Sequence, residues 1–195
     1  MNPPRIIAIG MSLAAILLAG CGSGTTNATT SNNTSKIRFN GHPATISLSS
    51  PTVAERTLMP AGYTCDSRDL APPLSWGAVP ANTVELSVFL LQLATSEKGK
   101  TTIAWAVTGI DPKLHELAAG KLPTGALVGR NSAGHEKYSV CPPKGQTARY
   151  LFVLYALPKH LGVKRGFTGV KLLNSILGGT ANAPFGAILT GYTRA

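Results

Sequence analysis

Four histidines, three cysteines and eight carboxylates are the side chains of this 195-residue chain best suited to metal, acid–base or nucleophilic chemistry. Their spacing does not assemble any of these. His42, His115, His135 and His160 fall in separate loop or turn regions, and none stands at metal-ligand spacing from another His or Cys. His135 and Glu136 are neighbours on a loop, an arrangement far commoner among solvated side chains than in acid–base pairs. There is no Gly-x-Ser-x-Gly elbow and no phosphate-cradling glycine loop. A nucleophilic Cys141 would need a base to take its proton, and the sequence identifies none. The expectation is a chain that is not an enzyme and holds no metal or cofactor.

The first cysteine has a different chemistry. Arg5 gives a short positive start, Ile6 to Leu18 is almost wholly apolar, and Leu18-Ala19-Gly20-Cys21 follows. An apolar run of about 13 residues is short for a membrane span, which needs ~20, and suits an export signal. Leu-Ala-Gly-Cys resembles the bacterial lipoprotein box, in which the cysteine is acylated and becomes the first mature residue. The competing reading is an ordinary signal peptide cleaved near Ala19, with Cys21 incidental. The domain expectation is therefore a signal peptide over 1–20, a polar tether over 21–35 beginning at acylated Cys21, and a folded domain over 36–195. Gly22 to Ser35 is too polar to bury surface against its ordering entropy, hence a flexible tether. The product is expected in the bacterial cell envelope, held by its lipid on the inner or the outer membrane.

The net charge is +10; removing residues 1–20 takes away Arg5 alone, leaving 17 basic and 8 acidic side chains, or +9. Exported chains do not meet nucleic acid, and the basic residues are scattered, so no nucleic-acid partner is expected. A solvated basic surface or attraction to an anionic membrane accounts for the balance. Cys65 and Cys141, in an oxidising compartment, either bond to each other or stay as two buried thiols.

The elements that must position any site are mostly strands. Ile37 to Phe39 and Ala44 to Leu48 read as short strands flanking the hairpin signal Asn40-Gly41. Pro60 to Trp76 is irregular and proline-rich. Glu85 to Leu93, Ile103 to Ile110 and Tyr150 to Leu157 are continuous apolar runs bounded by turn residues, the pattern of strands buried on both faces. Asp111-Pro112 ends the second, with a short helical stretch expected around Lys113 to Ala119. Leu122 to Asn131 reads as loop with one short strand. Phe167 to Leu177 places Val170, Leu173 and Ile176 at helical intervals before Gly178-Gly179. Phe185 to Tyr192 supplies a last strand. The fold class is mainly β, two packed sheets with few helices.

Three segments carry a resemblance. The first is Tyr63-Thr64-Cys65-Asp66 with Pro72-Pro73-Leu74 and Trp76; the second is Cys141-Pro142-Pro143, Gly145 and Arg149-Tyr150; the third is Gly191-Tyr192-x-Arg194. In order and spacing they resemble the phosphatidylethanolamine-binding protein family, in its bacterial Raf-kinase-inhibitor-like branch. The resemblance covers roughly Phe39 to Arg194. It implies a β-sandwich of two main sheets with a few short peripheral helices and a small anion pocket at one end. It also places Cys65 and Cys141 in loops at the pocket mouth, which favours the disulfide.

The family's pocket uses an Asp-Pro-Asp-x-Pro motif, a His-Trp pair and a His-x-Tyr motif to hold a phosphate-like anion. Here the acidic motif is replaced by Gln92-Leu93-Ala94-Thr95, the His-Trp pair by Ala104-Trp105, and the last histidine by Ala148. The positions that would line the pocket are Asp66, Pro72, Pro73, Gln92, Ala104, Trp105, Pro142, Pro143, Ala148, Arg149 and Tyr150. Tyr150 is either lining or core, Asp66 either lining or a turn residue, and Arg149 could act as a substitute donor. An anion without its donors would be buried poorly paired, at a cost of several kcal/mol. Two readings follow. One is an envelope-anchored protein-interaction or inhibitor-like module with a vestigial anion pocket. The other is a binding module for a neutral or lipid-like small molecule. The partner is accordingly an envelope protein or a small molecule, besides the membrane itself.

Overall fold

The computed structural model describes residues 38–39, 42–96, 99–179 and 183–194. Cys21, the expected signal peptide and the tether lie outside the described residues. The strands are β1 (Arg38–Phe39), β2 (His42–Pro43), β3 (Leu48–Ser49), β4 (Leu74–Trp76), β5 (Glu85–Gln92) and β6 (Thr102–Ile110), then β7 (Glu116–Leu117), β8 (Leu127–Val128), β9 (Thr147–Leu157) and β10 (Phe185–Thr193), with helix α1 (Gly169–Gly179) before the last. A five-stranded sheet runs β10-β9-β5-β6-β8 and a three-stranded sheet runs β3-β4-β7, every pairing antiparallel; β1 and β2 form a separate pair. The fold is mainly β with two packed sheets, as the apolar runs require.

The three long runs are unbroken because both faces of the larger sheet are covered. Leu86, Val88 and Leu90 of β5 belong to the core shared with Leu74, Trp76 and Leu117 of the smaller sheet. Phe89 and Leu91, on the alternate face, join Val153 and Leu157 of β9 against Leu172 and Ile176 of α1. Gly169 is buried at the helix start, where an added Cβ would stand 2.9 Å from Ala106 and Ile103, so the helix seats close on β6. Thr168 caps it, its hydroxyl accepting from Lys171 N–H at 3.3 Å.

Three expectations are corrected. Residues 44–47 form no strand: Thr45 and Ile46 both donate to the Phe185 carbonyl at 2.9 Å, so the segment crosses β10 instead of laddering along it. Ala44 and Ile46 are still buried. Lys113 to Ala119 is not helical. The Asp111 carboxylate accepts from Lys113 N–H at 2.9 Å, an Asx turn that diverts the chain into β7 beside β4. Trp76 then holds this segment, its backbone N–H on His115 O and its indole N–H on Leu114 O. On α1 the buried side chains are Leu172 and Ile176, beside buried Gly169, while Val170 is exposed.

Tyr155 carries a sealed hydroxyl that meets no hydrogen-bond partner among the described residues, wedged between Phe89 and Phe185 on the helix-covered face. Burial alone pushes its phenol well above the ordinary range. Because an unmade buried hydrogen bond costs about 1–3 kcal/mol, Tyr155→Phe is expected to leave stability unchanged or raise it by about 1 kcal/mol in urea denaturation. A clear loss would mean that the hydroxyl has an acceptor.

Candidate functional site

Gln92, Ala104, Ala148 and Tyr150 come together at one end of the larger sheet, where β5 finishes and β6 and β9 begin. Gln92 pairs with Thr102 on one side and Tyr150 on the other. Ala104 and Ala148 are buried, the first accepting Ser139 N–H through its carbonyl at 3.1 Å. Their methyl groups offer no hydrogen bond to an anion. Tyr150 is fully buried and its hydroxyl lies 3.4 Å from Gln92 Oε1, a weak contact. Burial, then the Asp69 charge, hold its phenol well above the ordinary range, so it stays neutral. Strand alternation sends Arg149 the other way: it is exposed and lines a 270 Å³ groove with Arg56, Thr57, Leu58, Thr190 and Gly191. Pro72 and Pro142 are buried, Pro73 is half-buried and Pro143 is exposed.

The loops around this end are clamped together. Cys65 and Cys141 form a disulfide with Cα atoms 5.3 Å apart, beside a 3.0 Å hydrogen bond from Cys65 N–H to Val140 O. Asp66 accepts from the Tyr192 hydroxyl and, at 3.1 Å, from Arg194 Nε. Arg194 also donates to the Pro142 carbonyl at 3.4 Å. The carboxylate is therefore engaged by the C-terminal strand and its neighbour.

The Tyr192 hydrogen bond, with Arg194 adding to it, holds the Asp66 carboxyl below its ordinary value of 3.8. A carboxylate depressed in the folded state stabilises fully above its unfolded value and loses that contribution as pH falls through the folded one. Asp66→Asn is thus expected to lose less stability than the parent chain on acidification below 3.8, read as urea midpoints at neutral and acid pH. Equal acid losses would disprove the clamp's charge dependence.

Beside the clamp lies a 390 Å³ cleft that only one expected position, Trp105, helps to line. Its wall comes from three loops: Arg68 to Ala71, Gly120 to Leu122, and Glu136 to Tyr138, with Val128 of β8. Trp105 and Tyr138 meet edge to face, with ring centroids 5.8 Å apart. Tyr138 donates its hydroxyl to Tyr63 O at 2.9 Å, so it presents ring and not hydroxyl. Asp69 sits in the left-handed region, φ 49°, which aspartate tolerates better than most residues. There its carboxylate accepts Val140 N–H at 3.0 Å and pairs with Lys137 at 3.7 Å. Sequence reasoning missed Asp69 and Tyr138. The turn-forming run Ser67-Arg68-Asp69 was the one available signal, and it says nothing of the loop it meets.

The sequence profile described as phosphatidylethanolamine-binding protein matches residues 49–187. The chain is 35% identical over 133 residues to the "Putative lipoprotein LppC" of Mycobacterium tuberculosis, covering 67% of this chain and 65% of that relative's length. A UPF0098 protein of Methanothermobacter thermautotrophicus is 34% identical over 130 residues, 64% of this chain and 84% of the relative. Among solved structures, CT736 of Chlamydia trachomatis, a "Putative PhosphatidylEthanolamine-Binding Protein (PEBP) Homolog", superposes with a TM-score of 0.66 at 26% identity, covering 77% of this chain and 98% of its own. The profile spans well over half the sequence, and the two sheets follow the fold that the resemblance implies. The chain belongs to the phosphatidylethanolamine-binding protein family.

Proposed function

We propose that this chain is an exported, lipid-anchored, non-catalytic binding protein that takes a small molecule beside the family's anion position and not in it. Cys21 carries the anchor and residues 22–35 the tether. Likeness to a relative named as a lipoprotein supports this. The observation that carries the binding reading is the cleft floored by Trp105 and Tyr138. Its 390 Å³ falls within the ~300–1,000 Å³ of small-molecule sites, and it adjoins positions that have lost their donors.

The test is an amide NMR titration of the chain with phosphoethanolamine and with inorganic phosphate. Neither is expected to give saturable shifts on residues 63–67, 72–76 or 141–150 at millimolar concentration. Saturable shifts there would return the ligand to the family's anion position and overturn the reading.

A second reading, a protein-interaction or inhibitor-like module, is favoured by one feature. Leu58 is 62% exposed in the groove between Arg56 and Arg149, an apolar side chain flanked by two cations. A photo-crosslinker at position 58 in living cells should then give one discrete adduct with an envelope protein. Absence of any adduct rejects it.

A further inference from the structure

Trp105 brings an indole donor to the cleft. Trp105 is 4% exposed and lines the cleft, and no acceptor among the described residues meets its indole N–H. Trp76, the other tryptophan, has its indole N–H on Leu114 O at 2.8 Å. The Trp105 nitrogen is also not sealed: among the described residues, Tyr155 Oη is the partnerless side-chain polar atom that is. An unpaired N–H in a largely buried side chain that lines a cleft is a donor open to a ligand filling that cleft.

The rest of the lining narrows the chemistry. Leu70 and Leu122 stand about 40% exposed on facing loops, and Val128 and Ala71 extend the apolar surface over the indole. Of the charged lining residues, Lys137 pairs with Asp69 and Glu136 with Arg130. Arg68 and Lys121 have no ion-pair partner among the described residues. With the paired charges set aside, two cations remain at the mouth of an apolar cleft. Complementarity asks for one anionic head, one acceptor oxygen and an apolar body.

We propose that the cleft beside Trp105 is a binding site for a small amphipathic carboxylate. The carboxylate sits between Arg68 and Lys121, one ligand oxygen accepts the indole N–H, and the hydrocarbon lies against Leu70, Leu122 and the indole. This rests on the small-molecule reading above and names the ligand class for it. It also makes anionic the neutral or lipid-like ligand expected from the sequence, because Arg68 and Lys121 are not among the expected pocket positions.

The experiment uses the full-length chain carrying Cys21→Ser, so that no attached acyl group competes, and follows both indole N–H resonances by ¹⁵N NMR. Decanoate, below its micellar concentration, should shift the Trp105 indole resonance saturably and leave that of Trp76 in place; Trp105→Phe assigns the peak. The double variant Arg68→Ala/Lys121→Ala, both positions being exposed, should weaken decanoate about tenfold or more, and decanol should bind the parent chain weaker by a similar factor. If decanol and decanoate bind equally and the double variant has no effect, the carboxylate assignment is overturned while the small-molecule reading stands. If neither probe moves the Trp105 resonance, the site itself is refuted. If neither does and phosphoethanolamine shifts residues 141–150, both readings fall. Should Trp105→Phe not fold, the two indole resonances are still told apart by Trp76→Phe, and the surface variants decide the outcome.

Discussion

Replacing Cys65 and Cys141 together by serine is expected to lower the folding free energy by about 4 kcal/mol. The two residues are 76 positions apart in sequence, so the bond closes a loop of more than a third of the chain. In the chain-entropy account the unfolded ensemble regains that freedom when the bond is lost. The folded side loses little directly, because Cys65 N–H still reaches Val140 O and Asp66 still holds Tyr192 and Arg194. Those weaker links, with Val140 N–H on the Asp69 carboxylate, then keep the 61–69 and 140–146 loops together. Urea denaturation of the oxidised chain and the double serine variant, with a thiol count on each, measures it. A difference below about 1 kcal/mol would show that the bond is not formed or that the unfolded loop is already compact.

The second large effect lies at the opposite end of β5. Glu85→Ala is expected to cost about 3 kcal/mol, and Glu85→Gln about 1. Glu85 is 5% exposed, yet every approach to its carboxylate is filled. Oε1 accepts from the Thr108 hydroxyl and from Gly109 N–H at 3.2 Å; Oε2 meets His160 Nδ1 at 3.1 Å and Leu161 N–H at 3.4 Å. Thr108 in turn lies 2.6 Å from Ser87 Oγ. Truncation strands buried donors from β6 and from the turn after β9, whereas glutamine keeps an acceptor for one of them. His160 is three-quarters exposed, so His160→Ala should cost less than about 1 kcal/mol. If Glu85→Ala loses no more than that, the network is not holding the two strands and the turn together.

How much of this was legible follows from the range over which each interaction acts. The apolar runs of β5, β6 and β9 were plain because burial on both faces writes itself into consecutive residues. The order of the proline, cysteine and tyrosine motifs gave the family, since those residues answer to local turns as well as to packing. Lys113 to Ala119 reads as helical in the sequence, and it is the Asx turn at Asp111 with the edge of β4 that decides otherwise. Glu85 and His160 are 75 positions apart, and nothing near either one points to the other. The cleft is the extreme case. Arg68, Trp105, Lys121 and Tyr138 come from four separate stretches, and each alone looks like an ordinary loop or core residue.

The order of strands in the larger sheet bears on how the chain is made. β9 lies between β10 and β5, so Glu85 must wait for Leu157, roughly seventy positions later, before its strand gains a neighbour on that side. A polypeptide synthesised or threaded through a membrane from its N-terminus therefore carries β5 and β6 as a hairpin with one bare apolar edge until residue 147 and beyond have emerged. Long-range pairing of this kind is slow, and such an edge invites pairing with another chain. Closure of the sheet belongs to the end of biogenesis, and a product truncated before Thr147 is a candidate for aggregation and not for partial function.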